Sequence, residues 1–275
     1  MTAALCSGLG LFTGIASTIT FRHGQRIHIE RAGTLTPATI DHLASDPTLP
    51  NVPRGFPVRN TTLRLADGHP AATIEHVMSA LAGMGIWNAT IALDGPELPI
   101  GDGSAIAFTP FLAAMELANI EPIRLTEPIE VREGSSSIVA TPRSGRGTRL
   151  VYQLDYGPNS VIKAHEAAWE GDRDEYLVEI APARTFSLAH EVEFARRAGL
   201  FASFSPRELL VVGADGKLIE NEWRFPDEPA RHKLLDLIGD LALLGAPLEA
   251  DVVATRSGHA LTHRFCREVL ATTSG

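Results

Sequence analysis

The stretch Arg231-His232-Lys233-Leu234-Leu235-Asp236-Leu237-Ile238-Gly239-Asp240-Leu241 decides how the rest of the chain is read. His232, Asp236 and Asp240 recur at i, i+4 and i+8, so at about 100° per residue they share one face of a helix. Leu234, Leu235, Leu237, Ile238 and Leu241 occupy most of the remaining circumference. So much leucine around a charged stripe predicts a helix inside the molecule, from about 228 to 244. There, carboxylates and imidazoles must pair or bind a metal to offset the cost of leaving water. A solvated polar face with Lys233 beside it would show the same spacing, so the stripe needs partners elsewhere.

Two segments supply them. Thr73-Ile74-Glu75-His76-Val77-Met78-Ser79-Ala80-Leu81-Ala82 has apolar residues at 74, 77, 78 and 81, the helical spacing, with Thr73 or a neighbour as its cap. On that helix His76 can face a metal while Glu75, about 100° away, reaches a water beside it. Ser257-Gly258-His259-Ala260 puts a further histidine at a strand-to-helix turn. Together these give two histidines and an aspartate as metal ligands (His76, His232, Asp236), a glutamate as base (Glu75), a histidine as acid (His259) and Asp240 to orient it. Neutral imidazoles with one carboxylate at an open tetrahedral site suit a catalytic zinc. Neither a His-Glu-x-x-His helix nor a Gly-x-Ser-x-Gly elbow occurs.

Gly8-Leu9-Gly10-Leu11-Phe12-Thr13-Gly14 looks like a nucleotide loop, but no long strand precedes it and no Lys-Ser/Thr follows, so it reads as a tight turn. Histidines 23, 28, 42, 69, 165, 190 and 263 show no partner pattern and default to surface or core.

Outward from these segments, prolines at 37, 47, 50, 53 and 57 break the region from Ile27 to about Arg64 into strands and loops. A strand follows at Asn88–Leu93, then a helix from roughly Ala105 to Asn119, and Ile123 to Glu127 between Pro122 and Pro128 is the candidate link. The second half repeats that order without a repeat in sequence. Strands run to about Ala181, a helix spans about Ala189 to Ala198, and a strand lies near Glu208 to Val212. The helix at 228–244, the longest, comes next, with a strand over Asp251–Arg256 and a last helix over about Ala260–Leu270. Strands first and helices second in each half predict an α+β fold of two layered domains, 1–122 and 129–275.

The 275 residues exceed what one core usually fills. A net charge of -9 opposes binding to nucleic acid or an anionic bilayer through a basic surface. The two cysteines, Cys6 and Cys266, make neither a disulfide framework nor a thiolate cluster, which suits a reducing cytoplasm. Met1 to Gly14 has no basic start or Ala-x-Ala site, and no run of about 18 apolar residues suggests a membrane span.

The segments Thr73–Gly85, Glu97–Ala105, Ala183–Phe186, Arg231–Asp240 with Leu243-Leu244-Gly245, and Ser257–Leu261 together resemble the UDP-3-O-acyl-N-acetylglucosamine deacetylases of lipid A synthesis. The resemblance implies Zn2+, with Fe2+ as the alternative ion, on His76, His232 and Asp236, and Glu75 activating water. It implies Thr185 polarising the carbonyl and holding the oxyanion, His259 positioned by Asp240 to protonate the leaving amine or stabilise the tetrahedral intermediate, and Lys233 and Phe186 at the substrate. It also implies two α/β-sandwich domains of similar topology with helices between two outer sheets. The substrate is then a UDP-linked acylated glucosamine, with transient contact at the inner membrane. Residues Ala189 to Val212 would line an apolar passage for the acyl chain.

Departures from the family pattern cluster on the substrate side. Phe12 stands where a histidine is usual, Ala202–Arg207 replaces a Gly-Ser-Leu/Phe-Asp stretch, and Arg143 is the nearest basic group to a replaced lysine around Thr141. A zinc amidohydrolase of another N-acetylated substrate and a non-catalytic nucleotide-sugar-binding relative are the rival readings.

Overall fold

The structure, a computed structural model, describes residues 5–273; the first four positions of the stretch read as lacking a leader, and the last two of the chain, lie outside the described residues. Two antiparallel hairpins begin the chain: β1 (Leu5–Leu9) with β2 (Ala16–His23), and β3 (His28–Arg31) with β4 (Thr34–Pro37). A proline-broken stretch leads to a short hairpin, β5 (Leu63–Arg64) and β6 (Pro70–Ala71), and then to α1 (Glu75–Gly83). The strand that follows, β7 (Ala89–Leu93), enters between the hairpins, antiparallel to β2 and parallel to β3, giving the order β1-β2-β7-β3-β4.

The second half builds the same sheet. The hairpins β9 (Ile129–Glu133) with β10 (Ser136–Pro142), and β11 (Arg149–Leu154) with β12 (His165–Trp169), receive β15 (Leu248–Thr255) between them, antiparallel to β10 and parallel to β11. The expected link is partly strand: β8 (Ile123–Arg124) pairs with the start of β15. Alternate residues of β15, Leu248, Ala250, Val252 and Ala254, are buried, as a sheet with one face on a core requires. This is the expected α+β architecture, helices packed between two sheets of like topology.

Four helical pieces matter to the site. The segment Arg173–Glu175 (α3) runs into a π-helical turn at Tyr176–Ile180, and α4 is Ala189–Arg197, preceded by the short strand β13 (Phe186–Leu188) that pairs with β14 (Leu210–Val212). The helix α5 (Glu228–Leu241) continues as a 3-10 turn, Ala242–Leu244, closed by Gly245 in the left-handed conformation at φ 76°. The last helix, α6 (His259–Thr273), is one residue longer than α5, so the longest helix is not the one expected.

Helices α1 and α5 cross closely, and Gly239 is the reason: a Cβ there would lie 2.0 Å from the Glu75 carbonyl oxygen. Gly83 likewise leaves room for the Tyr176 ring, whose hydroxyl meets Ser79 at 2.9 Å.

Two local expectations fail for identifiable reasons. The helix predicted over 105–119 is only α2 (Thr109–Leu112), because the amides of Ala105 and Ile106 both donate to the Ala181 carbonyl, at 3.0 Å each, instead of starting a helix. Thr73 does not cap α1; it sits at φ 57° and its hydroxyl donates to Glu97 at 2.7 Å.

Candidate active site

The first turn of α1 and the buried middle of α5 bring His76, His232 and Asp236 together, with one ligating atom from each lying within 4.8 Å of the others. The nearest approaches to Asp236 Oδ1 are His232 Nε2 at 3.4 Å and His76 Nε2 at 3.7 Å. The two rings meet edge to face, 5.1 Å apart. The His232 Nδ1–H donates to the Ala183 carbonyl at 3.1 Å, which fixes the tautomer and leaves Nε2 with its lone pair facing Asp236.

Burial, reinforced by the neighbouring His232, pushes His76 down to about 3; burial also lowers His232. Both rings are therefore neutral at pH 7. Asp236 is ionised: burial opposes its charge, but His232 and Lys233 outweigh burial and hold it well below the usual carboxylate range. Two neutral imidazoles and one carboxylate are the donor set a catalytic zinc takes. Among the described residues the buried His76 Nδ1 has no hydrogen-bond partner, an orphaned polar atom at the edge of the group. The residues fit a divalent cation.

Glu75, 3% exposed at the first turn of α1, receives a hydrogen bond from the Thr61 amide to Oε2 at 3.0 Å. Burial raises its carboxyl to about 8; the His259 charge pulls the other way, and Asp236 and Asp240 add to the rise. His259, at the start of α6, donates Nδ1–H to Asp240 Oδ2 at 2.8 Å, with its Nε2 3.9 Å from Asp236 Oδ2. Burial works against its charge, yet Asp240 carries it up to about 9. Asp240 itself is held far below its ordinary range, burial being outweighed by His259 and His263.

The other expected residues stand around this centre. The Lys233 ammonium donates to Asp236 Oδ2 at 2.8 Å. Thr185 and Phe186 line an apolar hollow with Leu11, Val192, Phe201 and Phe204, and the Phe186 ring lies 6.4 Å from that of His232. Among the described residues, the Thr185 hydroxyl has no hydrogen bond to the histidine and aspartate group. Arg143 is paired with Asp251 and Glu170, away from the centre. Phe12 turns inward against Phe201, with ring centroids 5.7 Å apart.

Sequence reasoning passed over several residues. His263, assigned to surface or core by default, has Nε2 3.4 Å from Asp240 Oδ1 and stacks beside His259 at 6.2 Å. Its one available signal was its position four residues after His259, on the same helix face. Thr61 contacts Glu75 and Asp240, and nothing in its proline-broken surroundings marked it. Arg184 makes a buried two-point pair with Glu228, Nε to Oε1 at 2.8 Å and Nη2 to Oε2 at 3.1 Å, pinning the Ala183–Phe186 segment to the first turn of α5. Glu97, fully buried, accepts from the amides of Phe12 (3.1 Å) and Thr13 (2.8 Å) and from the hydroxyls of Thr13 (2.8 Å) and Thr73 (2.7 Å); the tight turn expected over Gly8–Gly14 is confined to Gly10–Gly14, because Gly8 and Leu9 pair in β1.

A triad that fits a cation, beside a buried carboxyl and an aspartate-held imidazole, is the arrangement a metal-dependent hydrolase uses. The sequence profile of the UDP-3-O-acyl N-acetylglycosamine deacetylase family matches residues 2–271. Similar curated proteins carry the name UDP-3-O-acyl-N-acetylglucosamine deacetylase. The chain is 32% identical to that of Synechocystis sp. over 96% of this chain and 95% of the other. It is 36% identical to that of Myxococcus xanthus (98% and 84%) and 38% identical to that of Thermosynechococcus vestitus (96% and 90%). The chain belongs to this family of metal-dependent deacetylases of lipid A biosynthesis. No helix among the described residues is long and apolar enough to cross a membrane.

Proposed function

We propose that this protein hydrolyses the N-acetyl group of a UDP-3-O-acylated N-acetylglucosamine, with zinc held by His76, His232 and Asp236. The observation that carries the reading is the convergence of that triad with Glu75 on one side and the His259–Asp240 pair on the other. Zinc, when bound, supplies Lewis acidity that polarises the amide carbonyl and acidifies a water. Glu75, in its ionised form, takes the proton as water attacks. The water oxygen first adds to the carbonyl carbon, forming the new C–O bond and moving the carbonyl π pair onto oxygen. That pair then returns as the C–N bond breaks, and His259, protonated through Asp240, delivers its proton to the departing amine, so acetate and a free amine result. Thr185 donates a hydrogen bond toward the carbonyl oxygen, where negative charge develops. Lys233 lies near the substrate oxygens, and Phe186 with the apolar hollow takes the acyl chain.

The same reading divides the chain into domains at 1–122 and 129–275. It puts the protein in the cytoplasm, meeting its acylated substrate by transient contact with the inner membrane. Phe12 buried against Phe201 favours one variant, a zinc amidohydrolase of a different N-acetylated sugar, since that side of the site is apolar here.

Metal analysis of the purified protein, with acetate release from UDP-3-O-acyl-N-acetylglucosamine measured against Glu75→Ala, tests the reading. The expected result is about one zinc per chain and a loss on the order of 10²–10⁴-fold in the variant. Bound zinc without turnover would shift the reading to another N-acetylated substrate, and a protein with no affinity for zinc would remove the hydrolase reading altogether.

A further inference from the structure

Thr61 lies in the loop before β5, 1% exposed, and touches both halves of the chemistry. Its amide donates to Glu75 Oε2 at 3.0 Å, and its hydroxyl donates to Asp240 Oδ1 at 2.5 Å. A hydroxyl has one proton, and here it goes to the carboxylate. The Thr61 oxygen is then an acceptor for its two other neighbours, His263 Nε2 at 3.0 Å and His259 Nδ1 at 3.3 Å.

The consequence is directional. With Oδ1 of Asp240 occupied by Thr61 and by His263 at 3.4 Å, Oδ2 is left to His259 Nδ1 at 2.8 Å. That bond fixes the tautomer of His259 and turns its Nε2 toward the metal triad. His263 is 7% exposed, so the Thr61 hydroxyl is held in its orientation by protein rather than by bulk water.

We propose that Thr61 is a positioning residue that aligns the base and the acid of this site through one hydrogen-bonded junction, with His263 fixing the rotation of its hydroxyl. The inference rests on the deacetylase reading for the roles of Glu75 and His259, but the junction itself can be measured without turnover. Thr61→Val keeps the volume and the amide bond to Glu75 and removes only the hydroxyl. Thr61→Ser restores it, and His263→Phe removes the second donor while keeping a ring.

Each variant is compared with the wild type for zinc content, thermal unfolding, kcat and KM on UDP-3-O-acyl-N-acetylglucosamine, and the His259 Nδ1 proton in spectra of ¹⁵N-histidine-labelled protein. In Thr61→Val, zinc content is expected to be unchanged and KM to stay within about twofold, while kcat falls on the order of ten- to hundred-fold. The His259 Nδ1 proton signal should shift or broaden, Ser should recover both readouts, and His263→Phe should give the same pattern more weakly. Wild-type kcat and an unmoved His259 signal in Thr61→Val would overturn the proposal, as would equal loss of zinc or folding in Val and Ser variants. If the wild type proves inactive on this substrate, the deacetylase reading fails at that point, and the His259 signal alone decides whether Thr61 positions the ring.

Discussion

Glu97 shows how a single buried carboxylate can organise a site it does not enter. Its oxygens collect the donors of Phe12, Thr13 and Thr73, and Thr73 immediately precedes the residues that open α1. Replacing it with glutamine removes the charge and puts an amide donor where only donors converge. Glu97→Gln is therefore expected to cost about 2–4 kcal/mol in urea denaturation, and an unchanged midpoint would contradict this account. At this scale the sequence was legible only where side-chain type and helical spacing coincided, as in His232, Asp236 and Asp240. Thr61 and Glu97 act through contacts with residues far along the chain, Asp240 for one and Phe12 for the other, and no local pattern announces such partners. His263 had the spacing, but without knowledge that Asp240 faced α6 a lone histidine there carried no information.

Among the elements, the α1 and α5 crossing sets the distances on which the metal triad depends. Alanine ordinarily favours a helix over glycine by about 1 kcal/mol. At position 239 that gain is outweighed, because the added carbon would sit 2.0 Å from the Glu75 carbonyl oxygen and force the helices apart. Gly239→Ala is expected to destabilise the fold by roughly 1–3 kcal/mol net and to weaken zinc binding, measured by denaturation and by competition with a chromogenic chelator. A variant more stable than the wild type would mean that the crossing is looser than described. Helices α1 and α5 could be read in advance because each carries its own apolar periodicity. The predicted helix over 105–119 could not, since its outcome was decided by the Ala181 carbonyl, which drew off the first two amides.

For the whole molecule, two sheets of one topology enclose the helices, each completed by a strand that enters between two earlier hairpins. The order of elements in each half was visible in the sequence, but not the pairing. That β7 joins β3 in parallel, and β15 joins β11, depends on long-range hydrogen bonds that side-chain alternation does not encode. Because the triad draws on α1 from one half and α5 from the other, a bound ion links the two in the folded state alone. Removing metal with a chelator is expected to lower Tm, and free zinc at a hundred times its Kd should restore about 2.7 kcal/mol. Identical melting with and without zinc would show that the triad does not take up the ion.

That division of ligands between α1 and α5 also sets a timetable. His76 precedes His232 by 156 residues (232 − 76) and Asp236 by 160 (236 − 76). On the ribosome, His76 and its neighbouring carboxyl are made 156 residues ahead of His232, and until α5 follows they lack their partners. If the three residues hold an ion as proposed, the complete site exists only after α5 has emerged and docked on α1, and loading follows that step.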